Sequence, residues 1–178
     1  YGFEKYVNKN KIKFRNYDAF INLTGYFKSA TFKNFKAKDI HDHLNVNSIS
    51  SFLIIRELLS GMIKKKWGRI VNTTSIGTKF GGGEKSFPYS ISKFINEFFP
   101  SIYKKYYLKN ILINTLQIGV VNTKMHKKLP LKNLNKRVGL IPIKRMAQPK
   151  EVANYLFYLC GNENSLTTGQ IINISGGE

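Results

Sequence analysis

Cysteine is nearly absent from this chain. Cys160 is the single thiol in 178 residues, so no intrachain disulfide can form, and a reducing, cytoplasmic setting is expected. The apolar run Tyr155-Leu156-Phe157-Tyr158-Leu159-Cys160 points to a buried thiol. No apolar run reaches the roughly 18 residues that a membrane-crossing helix needs, and no secretory leader is legible. Of the histidines, His41 and His43 stand two apart on a predicted helix and face different directions, so no metal site is expected. Acidic residues are scarce: 10 Asp and Glu face 29 Lys and Arg, for a formal net charge of +19. One reading of that surplus is an acidic partner. The other is compositional bias, since Lys, Asn and Ile are all abundant. The basic residues are scattered, and clusters such as Lys64-Lys65-Lys66 sit where helix ends accept cations. Neither a nucleic-acid nor a membrane partner is therefore expected. With no repeat, no low-complexity linker and 42% hydrophobic residues, residues 1–178 read as a single domain.

What is present is an alternation of strands and helices. Residues 17–22 form an apolar strand ending at Thr24-Gly25, read as buried. A long helix is predicted over 37–66, with Ile40, Leu44, Asn47, Ser51, Ile54, Leu58 and Met62 on one face. Gly68 breaks it, and 69–74 is a β-branched strand. After a loop holding Gly77 and Gly81-Gly82-Gly83, Pro88 opens a helix over 88–108, with a break expected at Pro100. Residues 111–116 form another strand, and 122–144 read as an irregular basic lid. Pro149 and Glu151 open a last helix that Gly161 closes, and 170–174 is the last strand. Strands separated by helices of crossover length predict a parallel α/β sheet.

Tyr89 and Lys93, four apart, share one helix face, and Ser75 ends the preceding strand, where active-site groups of open α/β sheets gather. With 10 tyrosines and many lysines the bare pair means little. Its surroundings are more specific. Asn22-Leu23-Thr24-Gly25 ends a strand, and Asn47 lies in Asn45-Val46-Asn47-Ser48. Gly68-Arg69-Ile70-Val71-Asn72-Thr73-Thr74-Ser75 delivers a serine, and Tyr89-Ser90-Ile91-Ser92-Lys93 follows. Then come Asn114 through Thr123, Ile141-Pro142 with Arg145, Pro149-Lys150-Glu151-Val152-Ala153, and Gly169-Gln170 to Gly176-Gly177. In order and spacing, from about residue 17 onward, this resembles the short-chain dehydrogenase/reductase family.

The resemblance implies a Rossmann-type doubly wound parallel sheet and an oxidoreductase using NAD or NADP on a carbonyl or secondary alcohol. It implies Asn47, Ser75, Tyr89 and Lys93 as the catalytic set. Tyr89 would exchange a proton with the substrate oxygen, its pKa lowered from about 10 by the Lys93 ammonium. Ser75 would stabilise the same oxygen, and Asn47 would fix a water relaying protons to Lys93. Tyr89 and Lys93 would also meet the cofactor, with Lys93 on the ribose. Gly119, Val121 and Thr123 would border the nicotinamide, and Asn22 and Gly25 the adenosine side.

The family's glycine-rich turn after its first strand, which cradles the pyrophosphate, has no counterpart here. Gly81-Gly82-Gly83 follows Ser75 and opens no βα unit. Because the chain also starts at Tyr1, N-terminal βα units are expected to be missing, and cofactor binding to be weak or absent. Smaller departures are Thr24, Ile118 and Ser175, where the family usually has Ala, Pro and Asp. Segments 75–82 and 118–124 are similar to reductases of bacterial surface-glycan clusters, which suggests a sugar or nucleotide-sugar. The lid residues Lys124, Lys127, Lys128, Lys132, Lys136 and Arg137 suit an anionic substrate, and His126 could touch it. The alternative is a 3-ketoacyl-[acyl-carrier-protein] reductase, with Lys66 and Lys109 as docking residues. A reading of another class is a silent scaffold or basic binding module. The family's habits imply a homodimer or homotetramer through helices 37–66 and 88–108.

Overall fold

Two β-branched segments form the centre of the molecule, and everything else is placed by them. The computed structural model describes residues 2–124 and 131–178. Strands β1 (Ala19–Ile21), β2 (Gly68–Ser75), β3 (Ile111–Ile118) and β4 (Ile171–Ile174) pair in that order, all parallel. The helices are α1 (Gly2–Lys9), α2 (Lys11–Arg15), α3 (Ala37–Leu44), α4 (Ser50–Lys65), α5 (Phe87–Phe98), α6 (Leu131–Gly139) and α7 (Pro149–Cys160).

β2 and β3 are buried on both faces along nearly their whole length, as strands between two helical layers must be. Alternation divides their side chains. Ile70, Ile111 and Ile113 pack against Ile55, Leu58 and Met62 of α4. Val71 and Leu116 turn the other way, onto Val152, Leu156 and Leu159 of α7. A fully buried side chain of this kind contributes about 2 kcal/mol. Helices on both faces of a parallel sheet make the fold doubly wound, as the resemblance implies.

Four sequence expectations change. The apolar strand over 17–22 shrinks to the three residues of β1, with Ala19 and Ile21 exposed; among the described residues only β2 pairs with it. The helix over 37–66 is continuous but holds a π-turn at Asn45–Ile49. The extra residue rotates the face before it, so Asp39 and His43 are buried there while Ile40 and Leu44 are half-buried. Both polar residues serve the loop after β1: Lys28 Nζ bonds Asp39 at 2.8 Å, and the Lys28 amide donates to His43 Nε2 at 3.1 Å. The run Ala37–Lys65 reaches a mean hydropathy of 1.3, enough by composition for a membrane span, and half of that window is buried in the protein. Finally, the segment expected to be an irregular lid contains α6, while His126, Lys127 and Lys128 lie outside the described residues.

The break at Pro100 is present. α5 stops at Phe98, and 3-10 turns carry the chain to β3, because Pro100 has no amide to donate. α4 ends at Lys66, in the left-handed conformation, before Gly68. Gly68 is needed for packing: a Cβ there would come within 2.5 Å of Met62 Sδ.

Candidate active site

Parallel strands bring all their C-terminal ends to one side. Thr24-Gly25 after β1, Ser75 ending β2 and Gly119 after β3 border a cavity of about 700 Å³ there. α5 flanks it because Pro88 starts that helix beside the cavity, so Tyr89 and Lys93 line the cavity one turn apart.

The structure therefore brings Ser75, Tyr89 and Lys93 together. Burial raises the Tyr89 pKa above its ordinary value, with the Ser75 hydroxyl acting in the opposite direction. The Lys93 side chain is 3% exposed. Its ammonium donates to the carbonyl oxygens of Thr24 at 2.7 Å and Thr73 at 3.4 Å, and burial lowers its pKa to about 8. The expected lowering of Tyr89 by Lys93 is thus not what this geometry produces: desolvation governs both groups.

Asn47 is fully buried behind the cavity wall. Its Oδ1 accepts from the Tyr26 amide at 2.6 Å, and its Nδ2 donates to the Tyr26 carbonyl at 3.0 Å and to Ser92 Oγ at 2.8 Å. Its own carbonyl accepts from Asn96 Nδ2 at 3.1 Å. These bonds clamp the loop after β1 to α5. The π-turn at Asn45–Ile49 is the local distortion that holds Asn47 in this position. Asn22 is also buried, bonded through Nδ2 to Asn72 and through Oδ1 to the Thr24 amide. It shapes the strand end whose Leu23, Thr24 and Gly25 line the cavity. Gly119, Val121 and Thr123 line it too. Gly119 has a packing reason to be glycine: a Cβ would lie 2.6 Å from Ser175 Cα.

The lining is mostly apolar. Phe27 lines it and meets Tyr89 edge-on, with centroids 5.6 Å apart. Sequence reading missed Phe27, because nothing in the polar loop around it carries a periodicity. It also missed Asn96 and Glu97 on α5, whose partners become visible only across the sheet. Of the lid cations, Arg137 borders the cavity, but Glu178 holds its guanidinium at 2.5 and 2.9 Å. Lys66 and Lys109 are exposed just before β2 and β3, at the opposite end of the sheet from the cavity. Among the described residues no group of His, Cys, Asp and Glu is placed to hold a metal ion.

A nicotinamide riboside half fits these residues. The Lys93 ammonium has three donors, and two point at backbone carbonyls, which leaves one for a ribose hydroxyl. Gly119, Val120, Val121 and Thr123 border the same cavity. No described strand–turn–helix unit supplies a glycine-rich pyrophosphate cradle.

Comparison with known proteins agrees with this architecture. The family described as Enoyl-(Acyl carrier protein) reductase matches residues 2–178. The chain is 33% identical over 161 residues to the 3-oxoacyl-[acyl-carrier-protein] reductase of Aquifex aeolicus, covering 90% of this chain and 64% of that one. It is 29% identical over 172 residues to the acetoacetyl-CoA reductase of Cupriavidus necator, covering 96% and 69%. The chain thus spans about two thirds of the length of these relatives. Its fold superposes with a TM-score of 0.87 on a 3-oxoacyl (acyl-carrier-protein) reductase from Agrobacterium tumefaciens solved with NADP bound. That pair shares 22% identity over 99% of this chain and 69% of the other.

Proposed function

Taking as premise that the chain belongs to the short-chain dehydrogenase/reductase family, we propose that it is the catalytic part of an NAD(P)-dependent oxidoreductase that interconverts a carbonyl and a secondary alcohol. The observation that carries this reading is the convergence of Ser75, Tyr89 and Lys93 on one cavity at the C-terminal ends of parallel strands. When bound, the nicotinamide supplies or takes up the hydride. The chain's own residues manage the proton. Tyr89 keeps its proton at neutral pH, as a phenol with an ordinary pKa of about 10 does, and burial raises that value further; it is the general acid that protonates a carbonyl oxygen during reduction. Ser75 hydrogen-bonds the same oxygen as charge develops. Lys93 holds the ribose, and Asn47 acts by clamping the loop that shapes its surroundings.

The substrate reading that the cavity favours is a 3-ketoacyl thioester. Leu23, Phe27, Ile76 and Leu156 give it apolar walls, which suit an acyl chain better than a sugar with many hydroxyls to satisfy. Arg137, the lid cation at the cavity, is already paired with Glu178. The relatives' names point the same way. A sugar substrate, suggested by the segments around Ser75 and Gly119, has less support in this lining. The exposed apolar side chains of α5, with Phe94 at 61% and Phe98 at 76%, support packing of that helix against a second copy.

The test is loss of reduced-nicotinamide absorbance with acetoacetyl thioester as acceptor. Turnover is expected when a longer chain supplies the glycine-rich turn, with little or none from these 178 residues alone, and Tyr89→Phe is expected to remove it. Salt-sensitive retention on heparin without any nicotinamide binding would instead support a basic binding module.

A further inference from the structure

We propose that Glu97 is a positioning residue that sets Ser75 against Tyr89; this rests on the oxidoreductase reading above. Glu97 lies one helical turn beyond Lys93 and two beyond Tyr89 on α5. Its Oε1 collects three donors: the Thr74 hydroxyl at 2.8 Å, the Thr78 hydroxyl, and Gln117 Nε2 at 3.1 Å. Each donor belongs to a different part of the scaffold. Thr74 immediately precedes Ser75 on β2. Thr78 lies in the 3-10 turn Ile76–Phe80 that leads away from Ser75. Gln117 is the residue opposite Thr74 on β3. One carboxyl oxygen thus joins the strand end, the turn after it and the neighbouring strand to the helix that carries the acid.

The geometry explains why this joint matters for Ser75 in particular. Ser75 is the last residue of β2, with an extended backbone, and its hydroxyl accepts from the Gly77 amide at 3.2 Å. Its orientation therefore follows the turn. The Thr78 hydroxyl has one proton to donate and two acceptors in reach, the Ser75 carbonyl oxygen at 2.7 Å and Glu97; donation to Glu97 links the turn to α5. Glu97 itself is half-buried and does not line the cavity, so it acts through Ser75 and touches no substrate.

The same bonds predict that the fold survives its loss. Thr74 has a second acceptor in the Lys93 carbonyl at 2.9 Å, and Thr78 has one in the Ser75 carbonyl. Gln117 Nε2 also reaches the Thr78 hydroxyl at 3.1 Å. Removing the carboxyl leaves these donors with partners, while the turn loses its tie to the helix.

The experiment is a double-mutant cycle between Glu97→Ala and Ser75→Ala, read in two ways. The first is turnover of acetoacetyl thioester. Glu97→Ala is expected to lower kcat by up to about 100-fold, the scale of a misplacement of about 1 Å, with KM and nicotinamide binding within about twofold. Glu97→Gln, which keeps one acceptor oxygen, should recover about tenfold of that. In the Ser75→Ala background, Glu97→Ala should cost less than about twofold, because there is no hydroxyl left to position. The second readout needs no turnover: 3-fluorotyrosine at position 89, titrated by fluorine NMR. Ser75→Ala and Glu97→Ala should each raise its midpoint, and together no further than Ser75→Ala alone. Thr78→Val, which leaves α5 untouched, should reproduce the Glu97→Ala result should that variant fold poorly. Equal Glu97→Ala losses in both backgrounds would overturn the proposal, as would a Tyr89 titration indifferent to Glu97 or to Ser75. If the protein turns over no carbonyl, the functional reading fails, and the titration still decides whether Glu97 positions Ser75.

Discussion

The two faces of the sheet are built differently. The face toward α7 is packed with Val71, Leu116, Val152, Leu156 and Leu159. The face toward α4 and α5 is apolar only at the N-terminal ends of the strands, around Ile70, Met62 and Ile111. Toward the C-terminal ends it becomes a buried polar network of Asn47, Asn72, Thr74, Ser92, Lys93, Asn96 and Thr115. Apolar packing is non-directional and tolerates exchange of shape. Buried hydrogen bonds are directional, and a missing partner costs the desolvation of the one left behind. The α7 face therefore supplies stability and, through Val152 and Leu156, part of the apolar cavity wall, while the upper α5 face fixes where side chains point.

The sharpest way to break this comparison is at Tyr89. Tyr89→Phe removes one hydroxyl from the α5 face and should lower turnover by about 1,000-fold or more, with the urea midpoint little changed. On the α7 face the effects should reverse: Leu159→Ala, in that core but not at the cavity, should cost about 3 kcal/mol in urea unfolding and leave KM within a few-fold. An Asn47→Leu change falls between the two. It strands the Tyr26 amide and carbonyl, which should cost about 2 kcal/mol and lower turnover as well.

Two groups of opposite sign test the faces by pH. The Lys93 pKa falls to about 8 from 10.5. Between those values the unfolded chain holds a proton that the folded chain has lost, so stability rises with pH. The full rise is about 3 kcal/mol at 1.36 kcal/mol per unit. Burial raises Cys160, at the end of α7, to about 11 from 9.0. There the unfolded chain loses its proton first, so stability falls as pH climbs from 9 toward 11. Denaturant midpoints taken from pH 7 to 11 should therefore rise and then flatten. Lys93→Met should abolish the rise, and Cys160→Ala should prolong it. The smallest effect belongs to the surface. Arg145 beside it and the Gln148 amide lower the exposed Glu151 carboxyl to about 2. Glu151→Gln should change only the acid limb, removing a contribution that is complete above about pH 4.5 and is lost as pH falls toward 2.

The comparison also explains what could be read in advance. The α7 face and the lower α4 face were legible because apolar residues at strand and helix periods can be buried only one way. Pro88 and Pro100 were legible because each acts through its own backbone, whereas Gly161 ends α7 in an ordinary extended conformation that any residue adopts. The pair Tyr89 and Lys93 was legible through its spacing and through the resemblance of the segments around it. Ile40 and Leu44 misled, since a π-turn at Asn45–Ile49 shifts the periodicity of the residues before it. The buried strand over 17–22 proved to be a short exposed one, because apolar composition does not say whether a strand lies at a sheet's edge or centre.

The amino-acid sequence by itself determined a parallel α/β sheet and singled out Ser75, Tyr89 and Lys93, which meet at one cavity, because both follow from local period and order along the chain. Only the tertiary structure decided their state. It aimed Lys93 at the Thr24 and Thr73 carbonyls, burial raised the pKa of Tyr89, and Asn22 and Asn47 became braces behind the cavity wall. Those outcomes depend on desolvation and on partners 20 to 70 positions away, quantities that exist only once the strands are side by side.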